Sequence, residues 1–415
     1  MVGCVRFSGR NLFFRLMDFL ARKPNAPYKA FMEADSLPPW IWPRAAYVHV
    51  PFCAHHCGYC DFAVATGQDH AIDRYIRALD MELAQLRQAQ PVQTLFLGGG
   101  TPTYLNCRQL KNLLEVIIRW LPLAADHEFS AEANPGTLDA DKIGILADHG
   151  VNRISLGGQS FHPHLLAVLE RDHQPDDVYR AMDRIRNRIA NVSLDLIFGV
   201  PGQTAAEWEA DLDRALALQP VHLSTYGLTY EKGTRLWKQQ RQGQVRALAE
   251  ETELAMYLLA MDRLEGAGFE HYEISSFALP GFRCRHNQVY WANEAYFGFG
   301  MGAAAYVHGR RTLNTRDLHT YLHRALAGKS CVFQSEELPP EDRAGETLLL
   351  NLRRAEGIDR QEFRKQTGFD ADELAGAALT KQVELGLLQD DGRRIALTRR
   401  GKCVADTVIS QIMKQ

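Results

Sequence analysis

The sequence lacks an excess of either charge. Its 415 residues hold 47 Lys and Arg against 50 Asp and Glu, a net charge of -3, too little to build the long-range field that gathers a polyanion. Nucleic acid is therefore not an expected partner. It also lacks an apolar run approaching the roughly 20 residues that a membrane span requires, so an integral membrane protein is not expected and any membrane contact is peripheral. Cysteine is sparse, with eight in the chain. Of Cys4, Cys53, Cys57, Cys60, Cys107, Cys284, Cys331 and Cys403, only three lie close together. A disulfide framework is not needed in a chain long enough to bury a sizeable core, and a reducing, cytoplasmic compartment fits better. Internal repeats and low-complexity tracts are missing as well.

What is present is ordinary globular composition, 46% hydrophobic and 23% charged, at a length that favours one large domain with smaller appendages. Residues 1–44 form an N-terminal extension. Arg6, Arg10, Arg15, Arg22 and Lys23 alternate there with Phe13, Phe14, Leu16 and Phe19, a basic amphipathic pattern that reads as a targeting peptide, a short surface helix or a mis-assigned start. From 45 to 230, strand-like runs at Tyr47–Val50, Thr94–Leu97, Glu128–Ala131, Arg153–Leu156, Val192–Ile197 and Leu223–Tyr226 alternate with amphipathic stretches such as Tyr75–Gln88, Leu110–Trp120 and Trp208–Leu218. This is the signature of an α/β fold with a parallel sheet. Six repeats are too few for the eight-stranded closed barrel, so a partial (β/α)6 barrel is expected. Residues 231–335 read as an α+β region covering the open side of the sheet. Residues 336–415 carry helices and then a hairpin turning at Asp390-Asp391-Gly392, the order of a winged-helix-like domain.

In parallel α/β folds the site lies beyond the carboxyl ends of the strands, where backbone groups are free. Cys53-Ala-His-His-Cys57-Gly-Tyr-Cys60 follows the first strand there. Three thiolates in one short loop can bind one face of a cubane, and three rather than four leave one iron open to a small ligand. A zinc site completed by His55 or His56 is the other reading, although structural zinc loops more often pair two C-x-x-C units.

The spacing C-x-x-x-C-x-aromatic-C after a first strand resembles the signature of the radical S-adenosylmethionine (SAM) superfamily. Gly98-Gly99-Gly100-Thr101-Pro102 is similar to that superfamily's glycine-rich loop for the SAM amino group; taken alone it reads as a tight strand-to-helix turn. The likeness continues through Tyr47-Val-His-Val-Pro-Phe-Cys53, Ser130-Ala-Glu132-Ala-Asn-Pro135, Gly150-Val-Asn-Arg-Ile-Ser-Leu-Gly157 and Asp195-Leu-Ile-Phe-Gly-Val-Pro-Gly202. It covers about nine-tenths of the chain and resembles the oxygen-independent coproporphyrinogen III oxidase-like family. The resemblance implies a radical SAM barrel with a [4Fe-4S] cluster on Cys53, Cys57 and Cys60. It also implies SAM held among Tyr47, Tyr59, Gly99, Gly100, Thr101, Glu132, Gln159, Arg171 and Asp195. Carboxylates can accept hydrogen bonds from the SAM ammonium or ribose, and Arg171 can fork onto its carboxylate; an internal Arg171–Glu132 ion pair is the blander reading.

Two features select a branch within that family. The oxidases carry a fourth cysteine two residues after the third, where this chain has Asp61-Phe62. His286-Asn287-Gln288-Val289-Tyr290-Trp291 matches the H-N-x-x-Y-W element of the haem chaperone branch, where it is associated with haem binding. By this likeness His286 is the expected haem ligand, with Cys284 as a rival and simple packing of the imidazole as the alternative. The family's G-x-G-P-G-A-H-like turn is replaced by Gly298-Phe-Gly300-Met-Gly302-Ala-Ala-Ala305, so side-chain contacts to SAM are not expected from that loop. The implied function is haem carriage to an apo-haemoprotein acceptor, supported by a reductant such as flavodoxin or ferredoxin. Oxidative decarboxylation of a porphyrinogen is the second reading, and a radical enzyme for an unrelated small molecule the third.

Overall fold

Outward-facing valine, leucine and isoleucine at every second position drive the sheet together. In the computed structural model, which describes residues 37–412, these positions lie in β1 (Ala45–Val50), β2 (Val92–Gly99), β3 (Leu123–Ala133), β4 (Arg153–Gln159), β5 (Asn191–Phe198) and β6 (His222–Gly227), each parallel to the next. The amphipathic pattern at the N-terminus lies outside the described residues. Helices α1 (Ile72–Leu83), α2 (Cys107–Trp120), α3 (Ala140–Asp148), α4 (Pro163–Val168), α5 (Pro175–Arg186) and α6 (Ala205–Ala217) connect the strands. Val48, Val50, Leu95, Leu97, Ile154, Leu156, Leu194 and Leu196 are buried with Leu79, Leu83, Leu113, Ile117, Met182 and Leu212 in one core between sheet and helices. Capping boxes start α2, with Asn106 and Gln109, α5, with Gln174 and Asp177, and α6, with Thr204 and Glu207.

The residues between those positions face the other way, because side chains alternate along a strand. That face is buried yet polar. Thr94 pairs with Glu128, Ser130 with Arg153, Glu132 with Ser155, Ser155 with Ser193, and Ser193 with His222, and all of them are buried.

The region expected to cover the open side instead completes both edges of the sheet and closes its amino end. After α7 (Arg235–Arg241) and α8 (Glu250–Gly266) come β7 (Glu270–His271) and β8 (Ser276–Ala278); β8 adds antiparallel to β6 and β7 antiparallel to β8, while β9 (Phe297–Phe299) adds parallel to β1. The resulting nine-stranded order is β9-β1-β2-β3-β4-β5-β6-β8-β7, with no closure between its two edges among the described residues. Helix α9 (Arg285–Trp291) sits against the amino end because the Glu128 carboxylate accepts the Arg285 and His286 amides at 2.9 and 3.0 Å, groups that a helix start leaves unpaired.

Residues 340–412 pack around a core of their own that includes Leu348, Phe363, Leu379, Ile395 and Val408. The order is helix 340–351, strand 358–359, helices 360–367 and 371–384, then a hairpin of 388–390 and 394–397. This is the winged-helix-like arrangement expected, with Gly392 at φ 85° in the turn.

Two expectations follow. Glu128→Ala removes the acceptor for two helix amides and the negative charge beside buried Arg153, and denaturant unfolding should show a loss of about 3 kcal/mol. Burial also holds His49 at about 4 and His271 and His286 at about 3, below the ordinary 6.5. The unfolded chain takes up these protons below pH 6.5 and the native chain does not, so stability is present above that pH and lost as pH falls. Unfolding free energies from denaturant titrations at pH 7.5 and 5.5 should differ by about 4 kcal/mol from these three groups.

Candidate functional site

The chain leaves β1 through Pro51, and Phe52–Cys53 pairs in parallel with Ala65–Thr66, which closes residues 53–65 into a loop over the carboxyl ends of the strands. Gly58 donates to the Leu169 carbonyl at 3.3 Å and accepts from the Leu236 amide at 2.8 Å, so the loop is tied to two flanking segments. Cys53, Cys57 and Cys60 are free of disulfides. All three line one pocket whose empty volume, including the part open to solvent, is about 740 Å³. Tyr59, Gly99, Gly100, Thr101, Glu132, Gln159, Arg171 and Asp195 line it with them.

The glycine loop is built by exclusion. A Cβ on Gly100 would lie 2.6 Å from the Val50 carbonyl oxygen, and one on Gly98 2.8 Å from the Glu132 carboxylate. Gly99, at φ 104°, would place its Cβ 2.3 Å from the His49 ring. Backbone therefore approaches the pocket where no side chain fits. Glu132 Oε2 accepts the Gly99 amide at 2.9 Å, and His49 supports the loop from below. His49 Nε2 donates to the Ala63 carbonyl at 2.8 Å, so Nδ1 is the acceptor for the Tyr47 hydroxyl at 2.9 Å.

On the opposite wall, Gln159 stands at φ 64°, where the β4–β5 register shifts between Gly157 and Gln159. This left-handed backbone is uncommon for a residue with a side chain. Its Oε1 is buried with no hydrogen-bond partner. Asp195 accepts from Ser155 Oγ at 2.8 Å and from Ser193 Oγ at 3.2 Å. Arg171 donates to Cys57 Sγ at 3.5 Å and to the Gly157 carbonyl at 3.0 Å, and its Nε has no partner. Burial opposes the Arg171 charge, but the neighbouring Tyr59 and Cys57 outweigh it and raise its pKa.

These groups fit a cluster with SAM beside it. Three thiols share one pocket, and the position of a fourth is held by Phe62, also in its wall. Burial pushes the Cys53 thiol up to about 12, so a thiolate there requires a compensating cation, which cluster iron supplies. The unpartnered Gln159 oxygen, two carboxylates and a guanidinium offer complementary contacts for an amino acid with a ribose.

Two expected residues lie elsewhere. Tyr47 is buried under the glycine loop, is not among the residues that line the pocket, and bonds to His49. His286 lies in α9 at the amino end of the sheet, with Nδ1 bonded to Thr94 Oγ1 at 2.9 Å and Nε2 to the Tyr290 hydroxyl at 2.8 Å. It stacks on Phe96 and is fully buried, so in this arrangement it is a packed core histidine. Cys284 is buried, and its thiol donates to Glu128 at 3.5 Å; burial pushes it up to about 12, which keeps it a thiol. The Gly298–Ala305 turn is not among the residues that line the pocket; Gly300 donates to buried Glu82 at 2.8 Å.

Sequence reasoning missed His49, Asn134 and Asp172. Asn134 and Asp172 line the pocket and bond each other at 2.9 Å. His49 and Asn134 stood inside stretches already singled out, but only the tertiary neighbours give them a role.

Comparisons with known proteins bear on this site. The description "Radical SAM superfamily" matches residues 47–215 and "HemN C-terminal domain" residues 338–404. "Heme chaperone HemW" of Bacillus subtilis is 38% identical over 89% of this chain and 99% of its own length. The protein of the same name from Escherichia coli is 31% identical over 90% of this chain and 99% of its own. Among solved structures, coproporphyrinogen III oxidase (HemN) from Escherichia coli superposes with a TM-score of 0.79 at 22% identity, covering 96% of this chain and 98% of that one, a likeness of fold. Membership of the radical SAM superfamily implies a [4Fe-4S] cluster and SAM. Among the described residues no helix is long and apolar enough to cross a membrane.

Gly99→Ala should drive its Cβ into His49 and displace the loop. SAM binding by equilibrium dialysis is expected to weaken more than about tenfold, while the iron content of the reconstituted protein stays unchanged.

Proposed function

The chain belongs to the HemW family of the radical SAM superfamily, and from that premise we propose that it is a haem chaperone that binds haem and hands it to apo-haemoproteins. The observation that carries the reading over its rival is Phe62, an apolar side chain in the pocket wall at the position where the oxidase branch carries its fourth cysteine.

Cys53, Cys57 and Cys60 would hold the cluster, and Glu132, Gln159, Arg171 and Asp195 would hold SAM against it. With both bound, the site has the capacity for reductive cleavage of the SAM sulfonium. The chain's own part is to position SAM, through the glycine loop propped by His49 and Glu132, and to limit access of water. A low-potential carrier such as flavodoxin or ferredoxin is the proposed electron source, an apo-haemoprotein the acceptor, and the cytoplasm the compartment.

Haem ligation by His286 belongs to the same proposal with one added demand. Its imidazole meets iron only when α9 lifts and either Thr94 or Tyr290 releases a ring nitrogen, so binding there would be coupled to opening the amino end of the sheet. Oxidative decarboxylation of coproporphyrinogen III is the second reading, kept because the oxidase shares the fold over nearly the whole chain.

Anaerobically reconstituted protein titrated with haem should develop a saturating Soret band at about one haem per chain and form no decarboxylated product from coproporphyrinogen III with SAM and reductant. Product formation, abolished in Cys57→Ala and without retained haem, would make it an oxidase. A Soret band unchanged in His286→Ala would move the ligand away from α9.

A further inference from the structure

The loop that follows Gln159 carries metal-ligating groups that the site above does not use. His162 precedes α4 and His164 lies in its first turn, while Glu207 projects from the first turn of α6. One ligand atom from each lies within 4.8 Å of the others. His164 Nε2 is 3.1 Å from Glu207 Oε1. His162 Nε2 is 3.2 Å from the Glu207 carbonyl oxygen and 3.7 Å from Asp211 Oδ1, so α6 orients that ring too.

We propose that His162, His164 and Glu207 form a divalent transition-metal site of the zinc class on the outer face of the barrel. Two imidazoles and one carboxylate are a common protein donor set for zinc, with solvent completing the coordination. Zn–N and Zn–O bonds of about 2.0–2.2 Å place tetrahedral donors about 3.4 Å apart. The present spread therefore closes by side-chain rotation, for which the half-exposed His164 is free. The Glu207 carboxylate is set up for the role: its Oε2 is held at 2.8 Å by both the amide and the hydroxyl of Thr204, leaving Oε1 toward His164.

The consequence reaches the pocket. Ser160 Oγ and the Phe161 amide each bond to Asp211 at 2.7 Å, so the loop after β4 is already fastened to α6 at one point. A metal on His162, His164 and Glu207 adds a second fastening within three residues of Gln159, whose strained backbone presents its carboxamide to the SAM site. The metal thereby stiffens one wall of that site without touching it.

The test uses cluster-loaded protein, in which the pocket cysteines are occupied, dialysed against Zn2+ with zinc and iron counted together. Wild type should retain about one zinc per chain, and its thermal midpoint should rise with zinc. His164→Ala, and separately Glu207→Gln, should lose that zinc and the thermal response while retaining the same iron. The proposal is overturned if wild type retains no zinc. It is equally overturned if both variants retain as much as wild type, which would put the ion elsewhere, as on Cys107, Asp139 and Asp141. Neither result depends on haem binding or on SAM turnover, so the reading of function stands or falls separately.

Discussion

The site depends on the close approach of the Gly98, Gly99 and Gly100 backbone to its neighbours. With no Cβ in the way, the glycine loop lies against the Val50 carbonyl, the His49 ring and the Glu132 carboxylate at distances that no other residue permits. The cysteine loop starts directly above it, since Thr101 donates its amide to the Phe52 carbonyl at 2.9 Å. The cysteine loop and the glycine loop are thus one hydrogen-bonded unit, propped from beneath by Tyr47 and His49. A catalytic or carrier site assembled from loops gains its precision from such props, because loops on their own are mobile.

A second constraint acts at the other end of the strands. The sheet divides its residues by parity: apolar ones face the helices and form the core, while Thr94, Glu128, Ser130, Arg153, Ser193 and His222 face the interior. Buried polar groups persist only when paired, and here α9 supplies part of the pairing. Its amides satisfy Glu128 and its histidine satisfies Thr94. The H-N-x-x-Y-W element therefore closes the amino end of the sheet, four residues along β2 and about 13 Å from the glycine loop. A haem held by His286 and a cluster at the opposite end would sit on two sides of one polar interior, and opening α9 would expose that interior to water.

Much of this was legible in the chain because the signals are local. Alternating apolar residues in the six strands and the Asp-Asp-Gly turn each depend on neighbours within a few positions, and both appear where expected. The cysteine loop was placed by the rule that loops at strand ends converge, whereas Glu132, Gln159, Arg171 and Asp195 were singled out by the family resemblance, and all of them line the one pocket. His286 illustrates the converse. A histidine beside a tyrosine and a tryptophan has the same sequence whether it faces a ligand or a core, and only Thr94, 192 positions away, decides.

The sequence by itself determined the alternation of strands and helices, the three-thiolate loop and the order of segments in the C-terminal domain, since periodicity, capping and spacing are properties of adjacent residues. Tertiary structure alone decided that residues 270–299 complete both edges of the sheet, that Tyr47 props the glycine loop through His49, and that His162, His164 and Glu207 meet. Those outcomes rest on contacts between residues distant in the chain, whose free energies come from burial and from pairing of polar groups that no local pattern encodes.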